Sequence, residues 1–243
     1  MFDSLETSRR RHRSITRLIK GLAAVVICYI GIAYLLLPAI WLNFIRPGSI
    51  SIEVDRITTT SDGHPGDPLN VALVGTEAEV RTAMRAAGWF VADPLSIESD
   101  LRISADTVLK RVYDDAPVSS LFLYGRREDF AFEQPASDNP RHRHHVRFWQ
   151  SPTSNDDGRP TWFGAASFDD RVGLSHTTGQ ITHHIAPDID AERDYLMSCL
   201  DTTPYLQSST RVPKFHAIRE GRNGGGDIWK TDGNLSVAML KAQ

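Results

Sequence analysis

HVRFWQ (145–150) and TWFGAASF (161–168) are the two segments that decide the fold. Each is a short run rich in aromatic and other apolar side chains, and the polar segment SPTSNDDGRP (151–160) lies between them. Runs of this length and composition, bounded by residues such as Pro, Gly, Asn and Asp, are typical of β-strands joined by a loop. The pattern therefore predicts two strands here.

More strands are predicted on both sides of this pair. LFLYG (121–125) and FAFEQ (130–134) flank the charged residues 126–129, which predicts a β-hairpin with its turn at those four residues. GQITHHI (179–185) predicts a fifth strand, and the glycine-rich tail 221–241 predicts a closing hairpin. The alternation of apolar and polar residues in these segments has the period of two expected of strands.

Helices are predicted at three places. Thr76 and Glu79 have the spacing of a capping box, in which two side chains bond to free amides at a helix start, and apolar residues at helical spacing follow them. Residues 188–200 form a second helical pattern with acidic residues near its start, and residues 104–113 a third, shorter one. Runs of strands with few helices predict an α+β fold with a mostly antiparallel sheet and two or three helices.

The segment GLAAVVICYIGIAYLLLPAIWLNFI (21–45) contains no charged residue. About 20 apolar residues in a helix cross the hydrocarbon core of a bilayer, so this run predicts one N-terminal transmembrane helix. A cleaved signal peptide is the alternative, but its apolar region is shorter and ends in small residues. The bulky exit sequence 41–45 favours an uncleaved signal-anchor.

The charges divide unequally around this segment. Residues 1–20 contain six basic and two acidic residues, and residues 46–243 contain 21 basic and 28 acidic residues. Because the basic side of a membrane span stays in the cytoplasm, we expect a single-pass membrane protein with a cytoplasmic N-terminus and an exported C-terminal domain. The acidic exported part argues against a nucleic-acid partner.

The chain is accordingly expected to have four parts. These are a basic cytoplasmic segment (1–20), the transmembrane helix (21–45), a linker (46–66) and an α+β domain (67–243). Cys199 is the only cysteine beyond the span, so the exported domain forms no internal disulfide and depends on its core.

Four blocks of this domain carry a family resemblance: DPLNVALVGTEAEVRTAMRAAGWFVADPL (67–95), APVSSLFLYGRREDFAFEQP (116–135), PRHRHHVRFWQ (140–150) and VGLSHTTGQITHHIAPDIDAERDYL (172–196). Together with GRNGGGDIWKTDG (221–233), they resemble the LssY C-terminal domain family. The resemblance implies a bacterial envelope protein, since the family occurs behind a membrane anchor or fused to membrane-spanning modules. For a bacterial protein, the expected span then lies in the inner membrane and the exported domain in the periplasm. The resemblance implies no particular reaction. His176 stands where the family often has arginine.

Six histidines lie between residues 142 and 184, and histidine is a common zinc ligand. Adjacent strand residues point to opposite faces, so each neighbouring pair can offer only one ring to a shared site. The alternative is a set of structural or surface histidines. The candidate metal ligands, with zinc as the candidate metal, are His144, His145, His176, His183 and His184. The candidate catalytic residues are His176, His184 and Asp188.

The segment around Gly224 and Gly225 is the most unusual loop, because three glycines follow one another before Asp227. Successive glycine amides can surround an anion, so the candidate anion-binding residues are Arg222, Asn223, Gly224, Gly225, Arg126 and Arg127. The alternative is a sharp hairpin turn that needs positive φ angles. A Ser-His-Asp triad could also be assembled from Ser167, His176 and Asp188, but any domain of this size permits such a trio, so it carries no weight alone.

The sequence is compatible with two functions. The first is a binding or assembly role at the cell envelope, with membrane lipids or envelope proteins as partners, because no complete catalytic motif is present. The second is an envelope hydrolase that acts on a phosphate-containing lipid or glycan through the histidine cluster, with or without a metal.

Overall fold

The computed structural model describes residues 2–40, 56–92, 121–136, 142–155, 157–177, 179 and 181–242. The chain divides into two compact units, Met1–Arg46 and Pro47–Gln243. The helix predicted for residues 104–113 and the end of the predicted span, residues 41–45, lie outside the described residues.

The first unit is helical. Helix α1 (Phe2–Gly31) continues through a π-helical turn (Ile32–Leu36) into the short helix α2 (Leu37–Ile40). The amide of Leu37 bonds to the carbonyl of Ile32, five residues back. Proline has no amide hydrogen to continue the ordinary ladder, and the wide turn lies directly before Pro38.

Residues Ile15–Leu36 of this unit form a stretch of 22 residues with a mean hydropathy of 2.1, long and apolar enough to cross a membrane. This stretch begins six residues before the predicted start at Gly21, so Arg17 and Lys20 lie within its first turns. Long basic side chains at the end of a span can extend their charged groups toward the membrane surface while their methylene groups stay in the apolar region.

The second unit is built mainly of strands. Their bounds are β1 (Ile57–Thr60), β2 (Pro65–Pro68), β3 (Val71–Val74), β4 (Phe90–Val91), β5 (Leu121–Leu123), β6 (Arg126–Arg127), β7 (Phe130–Pro135), β8 (Arg143–Gln150), β9 (Thr161–Leu174), β10 (Ile181–Ile185), β11 (Leu206–Val212), β12 (Glu220–Arg222), β13 (Ile228–Lys230) and β14 (Leu235–Leu240). The helices of this unit are α3 (Glu77–Ala86) and α4 (Ile189–Asp201).

The largest sheet has the strand order β11-β14-β3-β9-β8-β7-β4, and β10 pairs with the end of the long strand β9. A smaller sheet has the order β2-β1-β5-β6, and β12 and β13 form a separate hairpin. Among the described strands the pairings are antiparallel except that between β14 and β3. The predicted α+β class with a mostly antiparallel sheet is confirmed.

Helix α3 begins where the capping box predicts. The Thr76 side chain accepts from the amide of Glu79 (3.3 Å), and the Glu79 carboxylate accepts from the amide of Thr76 (2.8 Å). Val80 and Met84 then bury one face of the helix, and each buried side chain of this size stabilises the fold by about 1.5–3 kcal/mol. Gly88 follows at a φ of +83°, the left-handed conformation that ends many helices.

The two faces of β8 have different partners. Val146 and Phe148 belong to the main hydrophobic core, which also contains Leu196 and Leu200 of α4. Trp149 belongs to a second cluster, with Leu121 and Leu123 of the smaller sheet and with Leu69 and Ala165. Because successive strand residues alternate in direction, His145 and Arg147 share the face of Trp149. The candidate site lies on this second face.

Two local predictions need correction. The hairpin predicted between 121–125 and 130–134 does not form, because the chain turns earlier, at Tyr124 and Gly125. Both residues have positive φ, at 53° and 74°, as the tightest hairpin turns require. β5 therefore pairs with β6, and β7 joins the larger sheet.

The predicted linker also contains structure. Residues 57–60 and 65–68, most of which fall in the range 46–66, form β1 and β2 of the smaller sheet. The folded domain therefore begins no later than Arg56.

Candidate functional site

The site rests on the pairing of β8 with β9. In the observed register, Arg143 lies opposite Asp169 and His145 lies opposite Ser167. Residues directly opposite one another on antiparallel strands share a face, so these four polar side chains form one cluster. The alternation that directs Val146 to the hydrophobic core therefore directs its neighbour His145 to the polar cluster.

Asp169 is at the centre of this cluster and is fully buried. Its carboxylate accepts from Arg143 Nε (2.8 Å) and lies 3.1 Å from His145 Nδ1 and 3.4 Å from His183 Nδ1. Burial alone would raise the pKa of Asp169, but His145, His183 and Arg143 outweigh it and hold the pKa well below its ordinary value. The group is therefore a carboxylate at neutral pH.

His145 connects this carboxylate with a serine. Ser167 Oγ lies 2.9 Å from His145 Nε2, and Arg147 Nη1 lies 3.3 Å from the same nitrogen. A guanidinium can only donate, so Nε2 acts as the acceptor and the ring hydrogen lies on Nδ1. Nδ1 is 3.1 Å from Asp169 Oδ1, but the two atoms are not aligned for a hydrogen bond. The order Ser167-His145-Asp169 is that of a Ser-His-Asp triad, but it differs from the set Ser167, His176 and Asp188 considered from the sequence.

A cavity of about 50 Å³ lies beside these residues. It is lined by Thr60, Gly66, Asp67, Leu121, His145, Arg147, Asp169, Thr182, His183, Ile185, Asn223, Gly224 and Gly225. Arg147 is only 5% exposed, and its Nη1 lies 3.7 Å from the carboxylate of Asp67. Asp67 also accepts from the side-chain amide of Asn223 (3.1 Å). The cavity thus contains one buried, loosely paired guanidinium.

The glycine loop connects β12 to β13 and forms one wall of the cavity. The amide of Gly226 bonds to the carbonyl of Asn223 (2.8 Å), and Gly226 has a φ of +86°. The loop is therefore a hairpin connection with one positive φ angle, and it also contributes Gly224 and Gly225 to the cavity lining. A side chain at Gly224 would collide with the methyl group of Thr60.

His176, His184 and Asp227 form a second cluster at the end of this loop. His184 Nδ1 lies 2.6 Å from Asp227 Oδ1, and the rings of His176 and His184 are 5.2 Å apart. One ligand atom from each of these three residues lies within 4.8 Å of the other two. His183 and His184 are thus divided between two places, His183 at the cavity and His184 at the cluster with Asp227.

The other predicted residues lie elsewhere. His144 faces α4, where its Nδ1 is 2.8 Å from Glu192 and its ring stacks on Tyr195 at 4.0 Å. Burial raises the pKa of Glu192 despite the neighbouring His144. Asp188 caps α4 by accepting from the amides of Asp190 and Ala191.

The arginines predicted to bind an anion have partners of their own. Arg222 donates to the carbonyl of Gly226 (2.7 Å) and so braces the glycine loop. Arg126 contacts Asp129 and the carbonyl of Gln150, and Arg127 lies 3.8 Å from Glu128. None of these three arginines is among the residues that line the described cavity.

Sequence reasoning missed four residues of the site: Asp67, Arg147, Asp169 and Asp227. Asp169 and Arg147 could have been found by continuing the alternation of β8 and β9, which places residues 145, 147, 167 and 169 on one face once the register is known. Asp67 and Asp227 carry no local signal, because both reach the site from distant strands or loops.

These features define an α+β protein with an N-terminal helix that is a candidate membrane anchor and with a small cavity in its folded domain that several buried polar side chains line. The family model of the LssY C-terminus matches residues 51–235, and the chain belongs to this family. No curated protein and no solved structure matches the chain.

Proposed function

We propose that the chain is a single-pass inner-membrane protein whose folded domain lies on the periplasmic side and binds an anionic group of an envelope lipid or glycan in the cavity at Arg147. Residues 1–20 stay in the cytoplasm in this proposal, because their six basic residues outnumber two acidic ones. Alkaline phosphatase fused after residue 243 is then active. If alkaline phosphatase is inactive after residue 243 but active when it is fused to residue 1, the membrane orientation is the opposite of the one proposed.

The observation that carries the binding proposal is the state of Arg147. A guanidinium has five N–H donors, and burying a cation without a close counter-charge is costly. The described contacts of Arg147 are one to the His145 ring at 3.3 Å and one to Asp67 at 3.7 Å, longer than a good charge-assisted hydrogen bond. Asp169 does not compensate, because Arg143 and two histidines already surround it. An oxyanion in the cavity would supply the acceptors that Arg147 lacks.

The glycine loop supports the same ligand. In the described part of the chain, the amides of Gly224 and Gly225 make no hydrogen bond to another residue, and both glycines line the cavity. Consecutive free amides in a loop are a recurrent anion-binding element. A bound water needs roughly 10–15 Å³ of such cavity space, so a cavity of about 50 Å³ accepts a small group such as a phosphate or a carboxylate.

Titration of the full chain in detergent with inorganic phosphate, and in a second arm with glycerol 3-phosphate, tests this proposal. Arg147→Met should weaken binding at least tenfold, because a charge-assisted hydrogen bond contributes about 1.5–3 kcal/mol. Arg147→Lys should retain part of the affinity. Arg81→Met is the control, since Arg81 pairs with Glu77 on the exposed side of α3. Equal affinity of Arg147→Met and Arg81→Met, or binding of neither ligand by the unaltered chain, would overturn the proposal.

A hydrolase is the second candidate, and the chain Ser167-His145-Asp169 favours it. Ser167 is only 1% exposed and is not among the residues lining the cavity, which favours the binding role. A fluorophosphonate probe decides between them. Labelling that disappears in Ser167→Ala would establish a reactive serine, and an unlabelled chain would leave Ser167 as a buried partner of His145.

A further inference from the structure

His176, His184 and Asp227 reach one place from three parts of the chain. His176 follows the end of β9, His184 lies within β10, and Asp227 ends the glycine loop. Their nearest ligand atoms lie within 4.8 Å of one another, a spacing that a single ion can bridge. His184 and Asp227 are 2% and 6% exposed, and His176 is exposed to solvent.

The surrounding backbone holds these three groups in position. The amide of His176 bonds to the carbonyl of Gly225 (2.8 Å), which ties the histidine segment to the glycine loop. Asp227 accepts from the amide of Ile185 (3.3 Å), and its own amide donates to the Asn223 side chain (3.0 Å). Such outer contacts orient metal ligands in proteins, because they fix the ring and the carboxylate before an ion arrives.

We propose that His176, His184 and Asp227 form a binding site for a divalent transition metal, with Zn²⁺ as the best match. Two imidazoles and one carboxylate suit zinc, whereas Ca²⁺ and Mg²⁺ prefer ligand sets made of oxygen alone. Three protein ligands leave a fourth position for water or another ligand. Because His176 is the exposed member, that fourth position lies toward solvent.

Binding would require a small rearrangement. His184 Nδ1 and Asp227 Oδ1 are 2.6 Å apart, which is the distance of a hydrogen bond. Two ligands of a tetrahedral zinc ion, each at about 2.0–2.1 Å from the metal, are separated by roughly 3.3 Å. The carboxylate and the ring therefore have to separate by roughly 0.7 Å, which is within the reach of the loop that carries Asp227.

The three proposed metal ligands are different residues from Arg147, which is proposed to hold the anion, although both places share the glycine loop. The glycine loop supplies Gly224 and Gly225 to the cavity and Asp227 to the metal cluster. The side chains of His183 and His184 are likewise divided between the two places. Arg147→Met should therefore leave zinc binding unchanged, and His176→Ala should leave phosphate binding unchanged.

The test is a zinc titration of the full chain in detergent after treatment with a chelator, in competition with a chromophoric zinc indicator. We expect one Zn²⁺ per chain, at least tenfold weaker binding in His176→Ala, and a similar loss in Asp227→Asn. His176 is exposed, so its removal leaves the core intact and the result does not depend on a folding defect. Substitution with Co²⁺ should give the visible absorption of a four-coordinate ion, and this absorption should be lost in His176→Ala.

His144→Ala is the matched control, because His144 bonds to Glu192 of α4 and is not one of the three proposed ligands. An unaltered chain that binds neither Zn²⁺ nor Co²⁺ would overturn the proposal. Zinc binding that is equal in His176→Ala and His144→Ala would overturn it as well.

Discussion

Replacement of Gly226 by alanine should damage the loop that joins the cavity to the histidine cluster. Gly226 has a φ of +86°, and a Cβ at this position would lie 2.7 Å from the Cβ of His176. The left-handed conformation costs an alanine about 1–2 kcal/mol. The close approach adds to this cost, because ordinary contacts begin near 3.4 Å and the two segments must separate by about 0.7 Å. Overpacking of this kind costs about 1–3 kcal/mol.

Two other glycines separate these contributions. Gly158 has a φ of +76° with open space around its Cβ position, so Gly158→Ala should lose only the conformational part, about 1–2 kcal/mol. Gly225 has neither a positive φ nor a contact shorter than 3.4 Å, so Gly225→Ala should be neutral or slightly stabilising. We therefore expect Gly226→Ala to be less stable than Gly158→Ala by about 1–3 kcal/mol.

Thermal unfolding of the full chain in detergent, followed by tryptophan fluorescence, measures this difference. For a domain of this size, each kcal/mol changes the Tm by about 2–4 °C, so the two variants should differ by roughly 2–12 °C. The same displacement of His176 should weaken zinc binding in Gly226→Ala and leave it unchanged in Gly158→Ala. Equal Tm values for the two variants would refute the steric argument, because only the cost of positive φ would then be present.

Two further predictions concern stability. Leu196 is fully buried in the main core, so Leu196→Ala should lower the free energy of unfolding in urea by about 2–5 kcal/mol. Leu174 is exposed, and a smaller loss in Leu196→Ala than in Leu174→Ala would contradict the assigned core. Partial burial raises the pKa of Asp232, but hydrogen bonds from Arg193 outweigh it and lower the pKa to about 2. At pH values above its ordinary pKa of 3.8, the ionised carboxylate therefore stabilises the fold. That stabilisation should be lost as the pH falls from about 4 to about 2. Over this pH range the free energy of unfolding should fall less in Asp232→Asn than in the unaltered chain. An equal fall in the two proteins would contradict the prediction.

Local patterns predicted the local structure well. The start of α3 follows from Thr76 and Glu79, because a capping box involves residues only three apart. The division of His144 and His145 between two faces follows from the alternation of a strand. The prediction of the hairpin turn at residues 126–129 was wrong, because a tyrosine at position 124 adopts a positive φ that nothing in its side chain favours.

The candidate site was predicted only in part. The sequence indicated the glycine loop and the histidines, but the partners of these residues depend on distant contacts. Asp169 meets His145 only through the register of β8 and β9, and Asp227 reaches His184 from 43 residues away. The loose pairing of Arg147 could not be predicted either, because it depends on the distance between Arg147 and Asp67 in the folded protein. Single residues carry no signal of such distances.

The parallel pairing of β14 with β3 has a consequence for how the protein is made. β14 lies between β11 and β3 in the largest sheet, although it follows both in the chain. As the chain emerges from the ribosome, β3 and β11 appear first, each with an unpaired edge facing the place that β14 will occupy. Exposed edges of this kind invite pairing with other chains. The sheet can close only after residues 235–240 have been synthesised, so the nascent domain has to be kept from aggregating until this strand has emerged.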